Sequence, residues 1–342
     1  MLHVFAEEGP SVEILFLNKK EVEEVITREE IEEAVELAFR TAGEGKLIQP
    51  VKSYLAVDSP KNRNHFISMP TYLETINVAG IKWCCLYWDR EPGIPPVTWG
   101  DILILNYRSN GLPYAIMDCT TITNERTAAH SVIAAKYLAK KNSKTAAIIG
   151  CGATSQTALP GLLGYFGLEK AKIYDIKPEM MDIYEKNIKK QTSSPINIVK
   201  CSSNEEAVKD ADIVIVGTSS MEPIVKENWI AEGACVIALN SFCDLDPKLS
   251  MKADKWVLGN KKSDNSTIVM KETAITPIEE LSVDNVYADL GEIIAGKVIG
   301  RENEKERIVY THKGMGALDV AVGDIVYKNA KKAGIGNMIK LI

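Results

Sequence analysis

The chain has 342 residues, 46% hydrophobic and 25% charged, with 40 Lys and Arg against 46 Asp and Glu, and so a formal net charge of −6. These proportions match an ordinary soluble globular protein long enough for two domains. Nucleic acid is excluded as the main partner, because phosphate binding calls for clustered Lys and Arg in excess, and small molecules are expected instead.

Seven cysteines, with no C-x-x-C pair and no His at zinc-finger spacing, signal neither a metal site nor a disulfide framework, and fit a reducing, cytoplasmic setting. The N-terminus "MLHVFAEEGPSVEILFLNKKEVEEV" carries acids before any apolar run, unlike a secretory signal. No stretch approaches the roughly 20 apolar residues needed to cross a bilayer, so no membrane contact is expected.

In chain order, "VEILFL" at residues 12 to 17 reads as a strand, and Asn18 caps a following helix because its side chain accepts a backbone N–H. Thr27 with Glu30 forms a capping-box signal for "REEIEEAVELAFRTA", whose Ile31, Ala34, Val35, Leu37 and Ala38 make an apolar stripe, ended by Gly43 and Gly45. From Val51 to Asp118 the runs "FISMPTY", "AGIKWCCLYW", "GDILILNY" and "LPYAIMD" predict a largely antiparallel or mixed sheet, with a hairpin turn at Asn110-Gly111. Ala-rich "RTAAHSVIAAKYLAK", Arg126 to Lys140, predicts a long helix. Thereafter strand and helix signals alternate ("KTAAIIGCG", "AKIYDI", "MMDIYEKNIKKQ", "INIVKC", "NEEAVKDA", "DIVIVGTS", "ACVIALN", "KWVLGN"), which implies a parallel sheet wrapped by helices. The tail "GALDVAVGDIVYKNAKKAG" is a last helix, stopped by Gly334.

Gly150-Cys151-Gly152-Ala153-Thr154-Ser155 fits G-x-G-x-x-G/A with Ser in third place, directly after the apolar strand "AAII". Gly150 allows the tight turn, Gly152 lets a pyrophosphate approach the backbone, and the small Ser155 permits close helix packing. Free N–H groups and the helix dipole then hold the phosphates. Asp175 ends the next strand twenty positions after Ser155, where an acid accepts from the adenosine ribose hydroxyls and, followed by Ile176, disfavours a 2′-phosphate. NAD is expected over NADP; capping of the next helix is the competing role for Asp175. Thr218, Ser219 and Asn240, at the ends of later strands, are placed along the dinucleotide crevice. Pro160 sits awkwardly about two turns into the helix expected after the glycine loop.

Three stretches, "ISMPTYL…NVAGIKW", "GLPYAIMDCTTITNERTAAHSVIAAKYLAKKNSKTAAIIGCG" and "VYTHKGMGALDVAVGDIVYKNA", resemble the ornithine cyclodeaminase/mu-crystallin family from about Leu15 to the C-terminal helix. The resemblance implies an α/β protein. A Rossmann doubly wound parallel-sheet domain (126–315) would bind NAD, and a mixed α+β domain (1–125 and 316–342) would bind substrate and form a homodimer. It implies that Arg126 grips a substrate carboxylate, where a guanidinium offers two parallel donors. Taken by its neighbours alone, Arg126 pairs equally well with Glu125 or solvent. Lys82 matches the family lysine beside the reacting carbon, although by itself it also suits an edge strand facing water. Lys52 matches a second basic contact to the carboxylate, and Met69 a substrate-pocket Met-Pro pair or plain core packing. His130 has no matching role and is expected to be structural.

The family's cyclodeaminases carry an acid after the loop that here reads "VIALNSFCDLDPKL". Counting back from Leu249 the position falls on Phe242, and a two-residue shift brings in Asp244, while Asp244 and Asp246 equally suit helix-start acids before Pro247. The implied activity is therefore an NAD-dependent oxidoreductase acting at the α-carbon of an amino acid or the corresponding imine, cyclic imines included, as in amino-acid dehydrogenases and ketimine reductases. The alternatives are ornithine cyclodeaminase-type ammonia loss with Asp244 assisting, and a crystallin-type binding protein for a small molecule and NAD(P).

Overall fold

A computed structural model describes residues 11–57, 64–87, 100–220, 222–239, 243–264 and 283–342, with Gly93 and Leu281. The chain divides into two units, the first ending at Ala34 and resuming over Lys46–Thr123 and Gly316–Ile342, the second made of Val35–Gly45 and Asn124–Met315.

The first unit is built on a mixed sheet of β1 (Glu13–Leu17), β2 (Leu47–Ile48), β3 (Ser53–Ala56), β4 (His65–Leu73), β5 (Val78–Leu86), β6 (Ile102–Tyr107), β7 (Pro113–Asp118) and β16 (Asn337–Lys340). Their order is β16-β1-β7-β6-β5-β4-β2, with β3 beside β4; all pairs are antiparallel except β1 with β7. Successive side chains point to opposite faces of a strand, and burial follows that period of two. β4 buries Ile67, Met69, Thr71 and Leu73, and β5 buries Val78, Gly80, Lys82 and Cys84. The helix Gly316–Ala333 covers this face, packing on β4, β5 and β6. Gly80 permits the close approach: a Cβ there would lie 2.7 Å from the Ile104 carbonyl oxygen and 2.9 Å from Val320 Cγ2. The opposite face keeps Leu55, Trp83 and Ile102 exposed, with Phe66 stacked on Trp83 at 5.4 Å between ring centroids.

Helix α1 (Lys19–Glu24) starts on the expected Asn18 cap, completed as a capping box by Glu21. The Thr27–Glu30 box opens α2 (Arg28–Gly43). The helix expected from Arg126 begins six residues earlier, as α3 (Thr120–Leu138), because Asp118 accepts from the backbone N–H groups of Thr120 and Thr121. A β-branched Thr-Thr-Ile-Thr run masks this start in the sequence.

The second unit holds β8 (Thr145–Ile149), β9 (Lys170–Tyr174), β10 (Asn197–Lys200), β11 (Ile213–Val216), β12 (Cys235–Ala238), β13 (Lys255–Leu258), β14 (Ala288–Asp289) and β15 (Ile308–Thr311). They lie in order β10-β9-β8-β11-β12-β15-β13-β14 and are parallel throughout. This is the expected doubly wound arrangement, with the order reversing next to β8. Its helices are α4 (Ala153–Gln156), α5 (Ala158–Tyr165), α6 (Pro178–Gln191), α7 (Asn204–Val208), α8 (Pro247–Lys252) and α9 (Leu290–Ile294); the helix on the mixed sheet is then α10. Pro160 is accommodated because the helix after the glycine loop breaks at Thr157, leaving Pro160 in the first turn of α5, where its missing N–H costs nothing. The sequence reading passed over β15 and β16; β15 is a central strand between β12 and β13.

Candidate active site

The glycine loop joins β8 to α4. Gly150 has φ +87°, and a Cβ there would lie 2.8 Å from the Gly217 carbonyl oxygen, so this turn requires glycine. Gly152 is different, since a Cβ on it would meet nothing within 4 Å, which leaves open space over the backbone at the start of α4. Gly152 gives α4 no side-chain cap, so the N–H groups there remain available to an anion, as a dinucleotide pyrophosphate requires. Ala153 is exposed, Thr154 half-buried, and Ser155 buried against Gly217, where a Cβ would come within 2.4 Å of Ser155 Oγ. The donor set and the space fit NAD.

Asp175 ends beside this loop. Its Oδ2 accepts from the Cys151 N–H at 2.8 Å and its Oδ1 from the Lys177 N–H at 2.9 Å, which fixes the carboxylate's orientation and leaves lone pairs for further donors. Ile176 is 85% exposed and presents no positive charge. Thr218 follows β11 and donates to Asp244 Oδ2 at 3.1 Å, and Ser219 is exposed beside it. Asp244 is wholly buried, its Oδ1 has no hydrogen-bond partner among the described residues, and burial pushes its carboxyl up to about 7. Asp246 instead caps α8, accepting from the Lys248 N–H. Asn240 and Phe242 lie outside the described residues.

Arg126 is buried in the second unit on α3, with Gly314 against its guanidinium: a Cβ at Gly314 would be 3.0 Å from Nη1. One turn on, His130 is buried edge-to-face with His312 and Tyr310, and burial holds it well below the usual histidine range. His312 Nδ1 in turn sits 3.1 Å from Asp264 Oδ2. His130 is therefore a neutral packing group in this cluster.

In the first unit Lys82 is a neighbour of both β4 and β6 strands, so it is not an edge lysine, and only 1% of it is exposed. Its Nζ donates to Thr123 Oγ1 at 2.6 Å and Asp319 Oδ1 at 3.1 Å, and lies 3.4 Å from Asp101 Oδ2. Asp101 and Asp319 are as buried as the lysine, and burial raises the Asp101 carboxyl above its ordinary value, against the pull of Lys82. Met69 is the direct cross-strand partner of Lys82, and Lys52 is buried just before β3. Sequence reasoning missed Asp101, Thr123 and Asp319. The signal available for Asp319 was an acid inside the apolar run "GALDVAVG", which buries only with a partner.

Known proteins resemble this chain over nearly its whole length. A profile of the ornithine cyclodeaminase/mu-crystallin family matches residues 12–334. An alanine dehydrogenase from Archaeoglobus fulgidus is 33% identical over 96% of this chain and 99% of its own. Among solved structures, the Delta(1)-pyrroline-2-carboxylate reductase of Thermococcus litoralis, in complex with NADH and L-proline, has a TM-score of 0.83 at 32% identity, covering 95% of this chain and all of that one. An archaeal alanine dehydrogenase dimer with bound NAD scores 0.84 at 31% identity over 97% of this chain and all of that one. The chain thus belongs to the ornithine cyclodeaminase/mu-crystallin family.

Proposed function

We propose that the protein is an NAD-dependent oxidoreductase acting at the α-carbon of an amino acid or of the matching imine, cyclic ketimines included. The observation that carries this reading is Lys82, a cation buried with two carboxylates where apolar residues would pack at lower cost, an arrangement expected where chemistry needs it. The relatives support it, since alanine dehydrogenase and pyrroline-2-carboxylate reductase both take their names from α-amino or α-imino acids. When bound, NADH supplies the hydride.

In this reading Arg126 holds the substrate carboxylate through a bidentate pair, Lys52 adds a second positive charge, and Met69 offers an apolar wall. Lys82 gives its proton to the substrate nitrogen, making the carbon more electrophilic. Gly150, Gly152, Ala153, Thr154 and Ser155 hold the pyrophosphate, Asp175 and Ile176 face the adenosine ribose, and Thr218 and Ser219 line the dinucleotide crevice. Asp244 acts there as a buried acid below Thr218. The apolar stripe of Leu55, Phe66, Trp83 and Ile102 is the homodimer contact, in line with the dimeric archaeal alanine dehydrogenase. All seven cysteines are free thiols, which suits the reducing cytoplasm; no helix among the described residues is long and apolar enough to cross a membrane.

The test follows NADH oxidation with pyrroline-2-carboxylate, piperideine-2-carboxylate, and pyruvate plus ammonia. Turnover of at least one is expected. If none reacts, and ornithine yields proline and ammonia with no net change in NADH, the cyclodeaminase reading replaces this one.

A further inference from the structure

Thr123 Oγ1 lies within hydrogen-bond distance of Lys82 Nζ at 2.6 Å, the Cys119 carbonyl oxygen at 2.6 Å and Asp101 Oδ2 at 3.0 Å, with Cys119 Sγ a longer contact at 3.9 Å. A hydroxyl has one proton to give and two lone pairs to accept with. Lys82 supplies its own proton. The Cys119 carbonyl accepts only, and its short contact takes the proton of Thr123. The contact with Asp101 is then a hydrogen bond only if Asp101 supplies the proton.

The charges around the carboxyl agree. Lys82 on β5 pairs with Asp319 on α10 at 3.1 Å, closer than the 3.4 Å to Asp101. The thiols facing the cluster add no charge, since burial pushes Cys84 up to about 12 and holds Cys119 well above the ordinary thiol range. The cation of Lys52 acts on the Cys84 thiol beside the cluster, and the backbone N–H of Cys85 reaches Asp101 Oδ1 at 3.4 Å. Burial of the carboxyl and the negative charge of Asp319 both favour a neutral Asp101.

We propose that Asp101 is the proton store of the site, a protonated carboxyl that recharges Lys82 through the hydroxyl of Thr123. The proposal rests on the reading of Lys82 as the proton donor. When an imine is reduced, a Lys82 N–H bond breaks as the substrate N–H bond forms, and the α-carbon receives the hydride of NADH, which leaves as NAD. Lys82, now a neutral amine, takes the Thr123 proton while Thr123 takes that of Asp101, leaving Asp101 a carboxylate until water reprotonates it. Asp101 and Thr123 are thus positioning residues that act through Lys82.

The resting protein is tested first, without turnover. Its infrared spectrum at neutral pH should hold the C=O stretch of a buried protonated carboxyl, sensitive to deuterium exchange, lost in Asp101→Asn and shifted in Thr123→Val. In turnover Asp101→Asn and Thr123→Val should each lower kcat for imine reduction toward the lower end of the roughly 10²–10⁴-fold range of acid catalysis, with little change in KM, and Thr123→Ser should restore it. A wild-type spectrum without that band, or an Asp101→Asn enzyme with unchanged kcat, overturns the proposal. If Asp101→Asn does not fold, the Thr123 pair decides by the same two readouts. If the wild type reduces no imine, the proposed function fails, while the infrared band still decides the state of Asp101.

Discussion

The two sheets of this protein are patterned differently. In the parallel sheet every residue of β11, β12, β13 and β15 is buried, and apart from Lys255 and Thr311 the strands read as apolar runs, as expected where helices cover both faces. In β4, β5 and β6 of the mixed sheet burial alternates, so each of these strands has one buried and one more exposed face. The parallel sheet leaves its polar work to the loops at its strand ends, where the glycine loop, Asp175 and Thr218 sit. The mixed sheet instead places a charged cluster directly on its covered face, at the middle of β5. A loop site is inexpensive in stability, whereas a lysine and two aspartates in a covered face incur desolvation that their mutual pairing only partly offsets.

The division of work can be broken from the mixed-sheet side. Lys82→Met keeps the volume of the side chain and removes its proton and charge; kcat should fall by about 10²–10⁴-fold, while the dissociation constant for NADH, read by fluorescence titration, stays the same. A parallel loss of NADH binding would show that the two sheets do not divide the labour in this way. From the other side, Asp175→Ser combined with Ile176→Arg should move the NADH-to-NADPH affinity ratio about ten- to a hundredfold toward NADPH, the scale of one charge-assisted hydrogen bond. If the unmodified protein already prefers NADPH, the role given to Asp175 is wrong.

Asp244 sharpens the comparison, because it is a fully buried acid of the parallel-sheet unit, raised to about 7. The folded protein binds its proton more tightly than the unfolded chain, in which the group titrates near about 4. The stability this confers is complete below that lower value and is lost as pH rises through about 7. Asp244→Asn removes the dependence, so thermal melts should show wild type losing on the order of a few degrees relative to the variant between pH 5 and pH 8, as the scale for proteins of this size implies. Equal slopes would place the carboxyl in a wetter setting. The smallest effect on the fold belongs to the bare face of the mixed sheet. Trp83→Glu with Ile102→Glu should convert a dimer to a monomer in sedimentation, with the circular dichroism spectrum unchanged; a wild type that sediments as a monomer would assign that stripe no partner.

Much of this was legible in the sequence for local reasons. The Thr27–Glu30 box, the strand-to-helix turn at Gly150 and the alternation along "FISMPTY" depend on residues within a few positions of one another. The start of α3 was hidden by a run of β-branched residues that only the Asp118 cap makes helical. β15 was overlooked because its four residues carry no turn signal of their own and owe their strand state to β12 and β13 on either side.

The sequence by itself determined the fold class and the dinucleotide loop, because periodicity, capping and glycine turns are short-range properties, while Lys82 and Arg126 stood out only through the family resemblance. Tertiary structure alone decided what surrounds that lysine. Thr123 and Asp319 are 41 and 237 positions away from Lys82 along the chain, and they meet it only because β5 lies inside its sheet with α10 laid across it. The cost of burying a charge depends on its partners in space, and nothing in the spacing of residues along the chain encodes which partners the packing will deliver.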